Sequence, residues 1–259
     1  MIRLKNEKQI NGIRESCKML SAMFRELAPQ VKPGLKEIEI DQWVRNWIKK
    51  AGGKPAFLGY QASRKTPPFP GAICISVNDE VIHGVPSHQR ICEGDLVSLD
   101  CGIDLGGFIS DQAISLEMGK VSPDVHALNV TTRDCLVRGI AAVKAGDRIL
   151  QVARAVESHA KAHGYGVVSE YHGHGVGFDV HEDPIVSNVA EGPNPRMHNG
   201  LVIAIEPMIN MGSGNVRVLD DDWTVVTEDG KISAHWEHTV AIFNGQVEVL
   251  TDPLDQWLK

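Results

Sequence analysis

Asp100 and Asp111 lie in the stretch Gly94–Asp111, GDLVSLDCGIDLGGFISD. It reads as two strands around a turn, because Leu96, Val97 and Leu99 are apolar and Gly106-Gly107 marks a reversal. With the turn centred between Leu105 and Gly106, the two carboxylates face each other across an antiparallel pair. Residues so opposed have Cβ atoms about 4.5–5.5 Å apart, and like charges there are destabilising. They need a shared proton, as in an acid dyad, or a divalent cation. Three further residues of suitable type follow. His174 sits in a Gly-rich segment, Glu206 ends an apolar run, and Glu237 lies between Trp236 and His238. Four carboxylates and one imidazole suit Mn²⁺, Fe²⁺, Co²⁺ or Zn²⁺. That is more than one ion usually needs. It suits two ions about 3.5–4 Å apart that share carboxylates and hold a hydroxide between them. Each residue alone has a plainer account, as a turn former, a strand end reaching water or a loop histidine. His172, His235 and His238 read as structural or supporting.

The elements that must position these residues follow from periodicity. Ile10, Ile13, Cys17, Leu20, Phe24 and Leu27 recur at helical spacing, so Asn6–Leu27 reads as an amphipathic helix with an Asn6/Gln9 capping box. A second helix is expected from about Leu35 to Ala51, stopped by Gly52. Ala72–Val77 reads as a strand, and the hairpin extends to about Leu116. Ser122-Pro123 opens a third helix reaching Ala145-Gly146, and Asp147 caps a fourth closed by Gly164. Strands are expected at Val167–Glu170, Gly200–Pro207, Trp223–Val226 and Ile232–Phe243. An internal repeat is visible. Val31-Lys32-Pro33-Gly34 recurs as Val143-Lys144-Ala145-Gly146 before the second helix pair member, and Gly94–Asp100 matches Gly200–Glu206. Two halves of helix, helix, then strands can pack about a pseudo-twofold axis, with Asp100 and Glu206 approaching from opposite sides.

Composition narrows the class. The chain has 259 residues, 42% hydrophobic and 23% charged, enough for a full core. A formal net charge of −7 argues against nucleic-acid binding through bulk charge. The start, MIRLKNEKQING, has no apolar core of a secretory signal, and no aliphatic run approaches membrane-spanning length. Five scattered cysteines without a C-x-x-C pattern suit a reducing cytoplasm.

Several motifs occur together in one order. They are Val77-Asn78 with His83-Gly84, Asp100 and Asp111, Gly173-His174-Gly175 followed by His181-Glu182, Ile205-Glu206-Pro207-Met208, and Glu237-His238-Thr239. In these the chain resembles type I methionine aminopeptidases, from about Leu4 to Leu250. The resemblance implies an α+β pita-bread fold. It would be one catalytic domain over residues 1–259, with halves of about 1–120 and 121–259 and an antiparallel sheet covered by helices. It implies that Asp100, Asp111, His174, Glu206 and Glu237 hold two divalent ions (Co, Mn, Fe, Zn or Ni), Asp111 and Glu237 bridging them. It also implies a monovalent cation near Asn78 and Ser233.

The implied reaction is attack of a metal-activated hydroxide on the carbonyl of an N-terminal methionine. Glu206 would shuttle protons, His181 would donate to the forming oxyanion, and His83 would hydrogen-bond the scissile amide. The methionine pocket maps to Tyr60, Cys74, Trp223, Phe57 and Val180. Phe57 stands where a small cysteine is common, and Val180 where an aromatic is common, so bulk could be exchanged across the pocket. Phe178-Asp179 replaces a Gly-rich spacer, and Ala62–Gly71 is longer than in short members. The implied substrate is a nascent polypeptide with a small second residue, met in the cytoplasm by a monomer in transient ribosome contact, without membrane or nucleic-acid readout. The alternatives are an X-Pro aminopeptidase or prolidase, relatives that usually carry an extra N-terminal domain, and a non-enzymatic binding protein on the same fold, relatives that have lost metal ligands.

Overall fold

The computed structural model describes residues 1–251. Its first helix, α1 (Glu7–Leu27), starts where the sequence expects. Asn6 Oδ1 accepts the Gln9 N–H at 3.0 Å, and Gln9 Oε1 accepts the Asn6 N–H at 2.9 Å. These bonds satisfy two otherwise orphaned donors at once. The apolar stripe from Ile10 to Leu27 is buried. Helix α2 (Glu37–Ala51) begins two residues later than expected and stops at Gly52, whose φ of 89° only glycine adopts freely. Helix α3 (Pro123–Ala141) is capped by Ser122 but ends before Gly146. Helix α4 (Leu150–Ala162) is not capped by Asp147. Its first-turn Leu150 N–H is instead accepted by Asn194 Oδ1 at 3.1 Å, from a loop far along the chain.

In chain order the strands of the N-terminal part are β1 (Lys54–Pro55), β2 (Cys74–Val77), β3 (Glu80–Ile82), β4 (Leu96–Leu105) and β5 (Phe108–Glu117). Then come β6 (Gly166–Val167), β7 (Gly173–Gly175), β8 (Glu182–Val186), β9 (Val202–Ile205) and β10 (Met208–Asn210). The last are β11 (Val216–Val218), β12 (Val225–Thr227), β13 (Ser233–His235), β14 (Glu237–Phe243) and β15 (Gln246–Val249). The principal sheet runs β1-β4-β5-β14-β9-β7-β8, with β2 also on β4 and β15 also on β14. Its pairings are antiparallel. Two small sheets, β13-β10-β6 and β11-β12-β3, flank it. One large apolar core runs from α1 and α2 through β4 and β14 to Leu136 on α3 and Val152 on α4.

Two expectations change. The hairpin turns on Gly106 and Gly107, both at positive φ, so Leu105 pairs with Phe108. A two-residue loop with both φ positive matches the twist of the flanking strands, which is why it wins. Asp100 therefore pairs with Ala113, and Asp111 with Gly102. The two carboxylates are diagonal neighbours on one face rather than directly opposed. Second, the strand expected over Ile232–Phe243 breaks at Trp236. Residues before it pair with β10, those after it with β5 and β9. The buried Trp236 indole donates to Asn129 Oδ1 on α3 at 2.8 Å and anchors the crossing point.

Candidate metal centre and substrate cavity

Alternation along a strand decides which side chains share a face. Asp100 on β4 and Glu237 on β14 both pair with Ala113 on β5. Asp111, two residues before Ala113, lies on their face. His238 pairs with Ile205 at the end of β9, which carries Glu206 to the side of Glu237. Gly175 pairs with Ile203 from the other edge of β9, so His174 falls beside Ala204 and shares a face with Glu206. Three strands of one half and two of the other thus deliver the five side chains to one place.

The glycines around His174 have a steric cause. Strand β7 is pressed between β8 and β9. A Cβ on Gly173 would stand 2.3 Å from the Ala204 carbonyl oxygen, and one on Gly175 would stand 2.2 Å from that of Asp183. Only glycine lets the backbone come so near while His174 points into the site.

The polar geometry is compact. His174 Nε2 lies 3.2 Å from Glu206 Oε1 and 3.8 Å from Asp111 Oδ2. Ligand atoms of Asp111, His174 and Glu237 lie within 4.8 Å of one another. Thr239 braces Asp111, its hydroxyl donating to the Asp111 carbonyl at 2.7 Å and accepting the Asp111 N–H at 3.2 Å. Asn188 donates to the Glu206 carbonyl at 3.0 Å. His235 Nε2 lies 3.5 Å from Glu206 Oε2, which gives that histidine a supporting place at the centre.

Charge is crowded here. Burial, opposed by His235, pushes the Asp100 carboxyl up to about 7. Burial and Asp100 push Asp111 well up, and burial and Asp111 do the same to Glu237. Glu206 goes the other way: burial works against its charge, but His174 and His235 outweigh it and hold the carboxyl below the usual range. Asp100 Oδ1, Asp111 Oδ1 and Glu237 Oε1 are buried and accept no hydrogen bond. One such orphaned group costs about 1–3 kcal/mol, more when charged. Asp111 and Glu237 meet the His174 imidazole within 4.8 Å, with Asp100 on the same face of the sheet; such a group fits a cation, and the oxygen-rich donor set fits a divalent one.

A cavity of about 500 Å³ opens beside these residues, lined by all five, by His83 and His181, and by Phe57, Tyr60, Cys74 and Trp223. Its apolar wall is one cluster in which Phe57, Phe69, Cys74, Val180 and Trp223 are buried together. Val180 departs from expectation. It is 5% exposed and packs within that cluster, but it does not line the cavity. Phe57 does, and it lies over Gly102, whose added Cβ would meet its ring at 2.8 Å. The sequence reading missed Ala62, Phe69, Ile82, Glu170 and Tyr171 on the lining, and His172, expected as structural or supporting, also lines the cavity. The adjacency of Tyr171 and His172 to Gly173 was an available sign. The Ala62–Gly71 loop is pinched at its base, Gly59 N–H bonding Phe69 O and Phe69 N–H bonding Tyr60 O, both at 2.8 Å. Its Pro67 carbonyl accepts the Trp223 indole N–H at 3.0 Å.

His83 sits at φ 58° between the rings of Trp223 and Tyr171, and burial pushes it down to about 4. The following Gly84 leaves no room for a side chain, since its Cβ would fall 2.0 Å from Ile75 O. His181 stands at the cavity mouth with its ring 4.3 Å from that of His174. Solvent reaches it, yet the cavity walls hem it in; this loss of hydration, then His174, pushes it down to about 3. His238 turns away, its Nδ1 2.8 Å from Thr251 Oγ1. The Asn78 carbonyl accepts the Ser233 N–H at 2.9 Å, which brings together the two residues named for a monovalent cation.

Comparison with known proteins gives the class. Residues 11–244 match the family model described as metallopeptidase family M24, and the chain belongs to that family. More particularly, it is 49% identical over 257 residues to a protein named methionine aminopeptidase from Treponema pallidum, covering 98% of each chain. Its structure matches that of the methionine aminopeptidase from Rickettsia prowazekii with a TM-score of 0.93 at 30% identity, covering 97% of this chain and 100% of that one. The prolidase from Pyrococcus furiosus shares the fold (TM-score 0.77, 23% identity), and the match covers 96% of this chain and 65% of that one. The α+β pita-bread architecture expected from the motifs is the one observed. Among the described residues no helix is long and apolar enough to cross a membrane.

Proposed function

We propose that the chain removes methionine from the N-terminus of newly made polypeptides whose second residue is small. The observation that carries this is the junction of two unlike surfaces. An oxygen-rich floor with three orphaned carboxylate oxygens adjoins a narrow apolar wall of Phe57, Phe69, Cys74 and Trp223. Asp100, Asp111, His174, Glu206 and Glu237 would hold two divalent ions. Such ions, when bound, supply Lewis acidity toward a carbonyl and acidify a coordinated water.

The chain's own residues do the rest. The apolar wall takes the methionine side chain and excludes water around it. Glu206, 3.2 Å from His174 and 3.5 Å from His235, would accept and return a proton. His181 donates a hydrogen bond where charge develops on the carbonyl oxygen, a contact worth about 2.7–4 kcal/mol in such sites. His83, at φ 58° and in ring contact with Trp223 and Tyr171, would address the scissile amide. The chain would act as a monomer in the cytoplasm, on polypeptides leaving the ribosome, and a monovalent ion near Asn78 and Ser233 would brace the loop before β4.

The test is release of methionine from Met-Ala-Ser by the purified full-length chain, with Mn²⁺, Co²⁺, Fe²⁺ or Zn²⁺ added in turn. Met-Ala-Ser should be cleaved and Met-Leu-Ser spared. Faster cleavage of an Ala-Pro peptide would move the chain to the proline-directed peptidases. Metal binding without turnover of either peptide would make it a binding protein.

A further inference from the structure

Tyr60 and His181 come from segments 121 residues apart, yet the Tyr60 hydroxyl lies 2.7 Å from His181 Nδ1. Both partners are held independently. Tyr60 sits in the pinched base of its loop, its N–H bonded to Phe57 O at 2.9 Å and its carbonyl taken by Phe69 N–H. His181 precedes Glu182, whose Oε1 accepts the N–H groups of Phe178 and Asp179 at 2.7 and 3.2 Å and closes the turn. Both segments are thus anchored through their backbones, and the two rings meet with centroids 5.1 Å apart.

In a neutral imidazole one nitrogen carries the proton, and the hydrogen bond made by the other decides which. A phenol meets Nδ1 far more favourably as a donor than as an acceptor, because its proton is the more acidic. Burial and nearby Asp179 raise the Tyr60 phenol above its ordinary range, so it keeps that proton. We propose that the Tyr60 hydroxyl, by donating to Nδ1, fixes the His181 proton on Nε2 and so makes the nitrogen left to the cavity a hydrogen-bond donor. With the opposite tautomer that nitrogen would offer a lone pair, which repels a developing oxyanion. Tyr60 is then a positioning residue through its hydroxyl, besides being a wall of the cavity through its ring. What the donor serves rests on the peptidase reading; where the proton sits does not.

The two can be tested apart. In full-length chain labelled with ¹⁵N-histidine and loaded with diamagnetic Zn²⁺, His181, assigned by its loss in His181→Gln, should show a pyridine-like Nδ1 and a protonated Nε2. Tyr60→Phe, which keeps the ring, should move both shifts toward their tautomer average. The same variant should lower kcat on Met-Ala-Ser by about three- to tenfold, the range one hydrogen bond commands, with KM little changed. Tyr60→Leu, which removes the ring too, should raise KM. A protonated Nδ1 in the unsubstituted chain overturns the proposal, as does a Tyr60→Phe variant with unaltered shifts and unaltered kcat. If the unsubstituted chain cleaves no methionyl peptide, the peptidase reading fails while the nitrogen shifts still decide the proton's place.

Discussion

Lys5 and Glu182 form an ion pair at 2.6 Å with both side chains 1% exposed. They tie the segment before α1 to the turn that carries His181. The Lys5 N–H also bonds Gly200 O at 2.7 Å, so this segment is fixed on two sides. Burial lowers the Lys5 pKa and Glu182 opposes it, which marks a pair whose charge depends on its partner.

Removing Glu182 leaves Lys5 buried without its carboxylate, a loss of about 3–5 kcal/mol, whereas removing Lys5 leaves Glu182 paired to Arg3 at 3.1 Å and bonded to two N–H groups. Glu182→Gln should therefore lower the unfolding free energy by about that amount in urea titrations. Lys5→Met should cost less, because Arg3 and the Phe178 and Asp179 N–H groups still serve the Glu182 carboxylate. Activity should fall in both, since the His181 turn loosens.

Metal binding and stability should be linked with opposite signs in two states. Loading with metal at a hundredfold excess over its dissociation constant should stabilise the chain by about 2.7 kcal/mol, and a chelator should reverse this. Asp111→Asn should abolish the gain. In chelator, however, it should melt no lower than the parent chain, because it removes one of three crowded buried carboxyls. Thermal melts with and without chelator decide the matter.

Gly175→Ala should be costly although alanine is small. Its methyl would press on the Asp183 carbonyl, so β7 and β8 must part. The expected loss is about 1–3 kcal/mol, with weaker metal binding as His174 shifts. Calorimetric melting and metal titration read the two effects separately.

Glu80 gives a pH signature away from the centre. Burial pushes its carboxyl from 4.5 to about 7, although the Val77 N–H bonds to it at 2.8 Å. The folded chain thus keeps this proton to higher pH than the unfolded chain does. Below about pH 4.5 the group is neutral in both states and costs nothing; stability falls as pH rises toward 7. Glu80→Gln should therefore stabilise at pH 8 by about 1–2 kcal/mol, after allowance for partial exposure, and be neutral at pH 4. Denaturant midpoints at the two pH values check the sign.

Much of this was legible in the chain. The capping box of α1 and the glycine stop of α2 are local chemistry, and local chemistry is written in order. All five residues of the centre could be named from type and strand context. Their register could not, because shifting the hairpin turn by one residue keeps every apolar side chain on its face and moves Asp111 only from opposite Asp100 to diagonal. Nor could the break at Trp236 be read, since its partner Asn129 lies on a helix far back in sequence. The cap of α4 failed for the same reason: a side chain from the Asn194 loop does the work expected of Asp147. The cavity wall was only half visible, for Phe69 and Val180 take their places from how loops fold back, which no period encodes.

The glycines flanking His174 divide the molecule by mutability. The strands of the floor are so tightly opposed at Gly173 and Gly175 that even a methyl is refused, whereas the cavity's lining residues at 57–69, 170–172 and 223 lie in loops outside the principal sheet, with Cys74 on β2 the apolar exception. Selection or design can therefore retune what is admitted by editing those loops, while the cation seat below stays as it is.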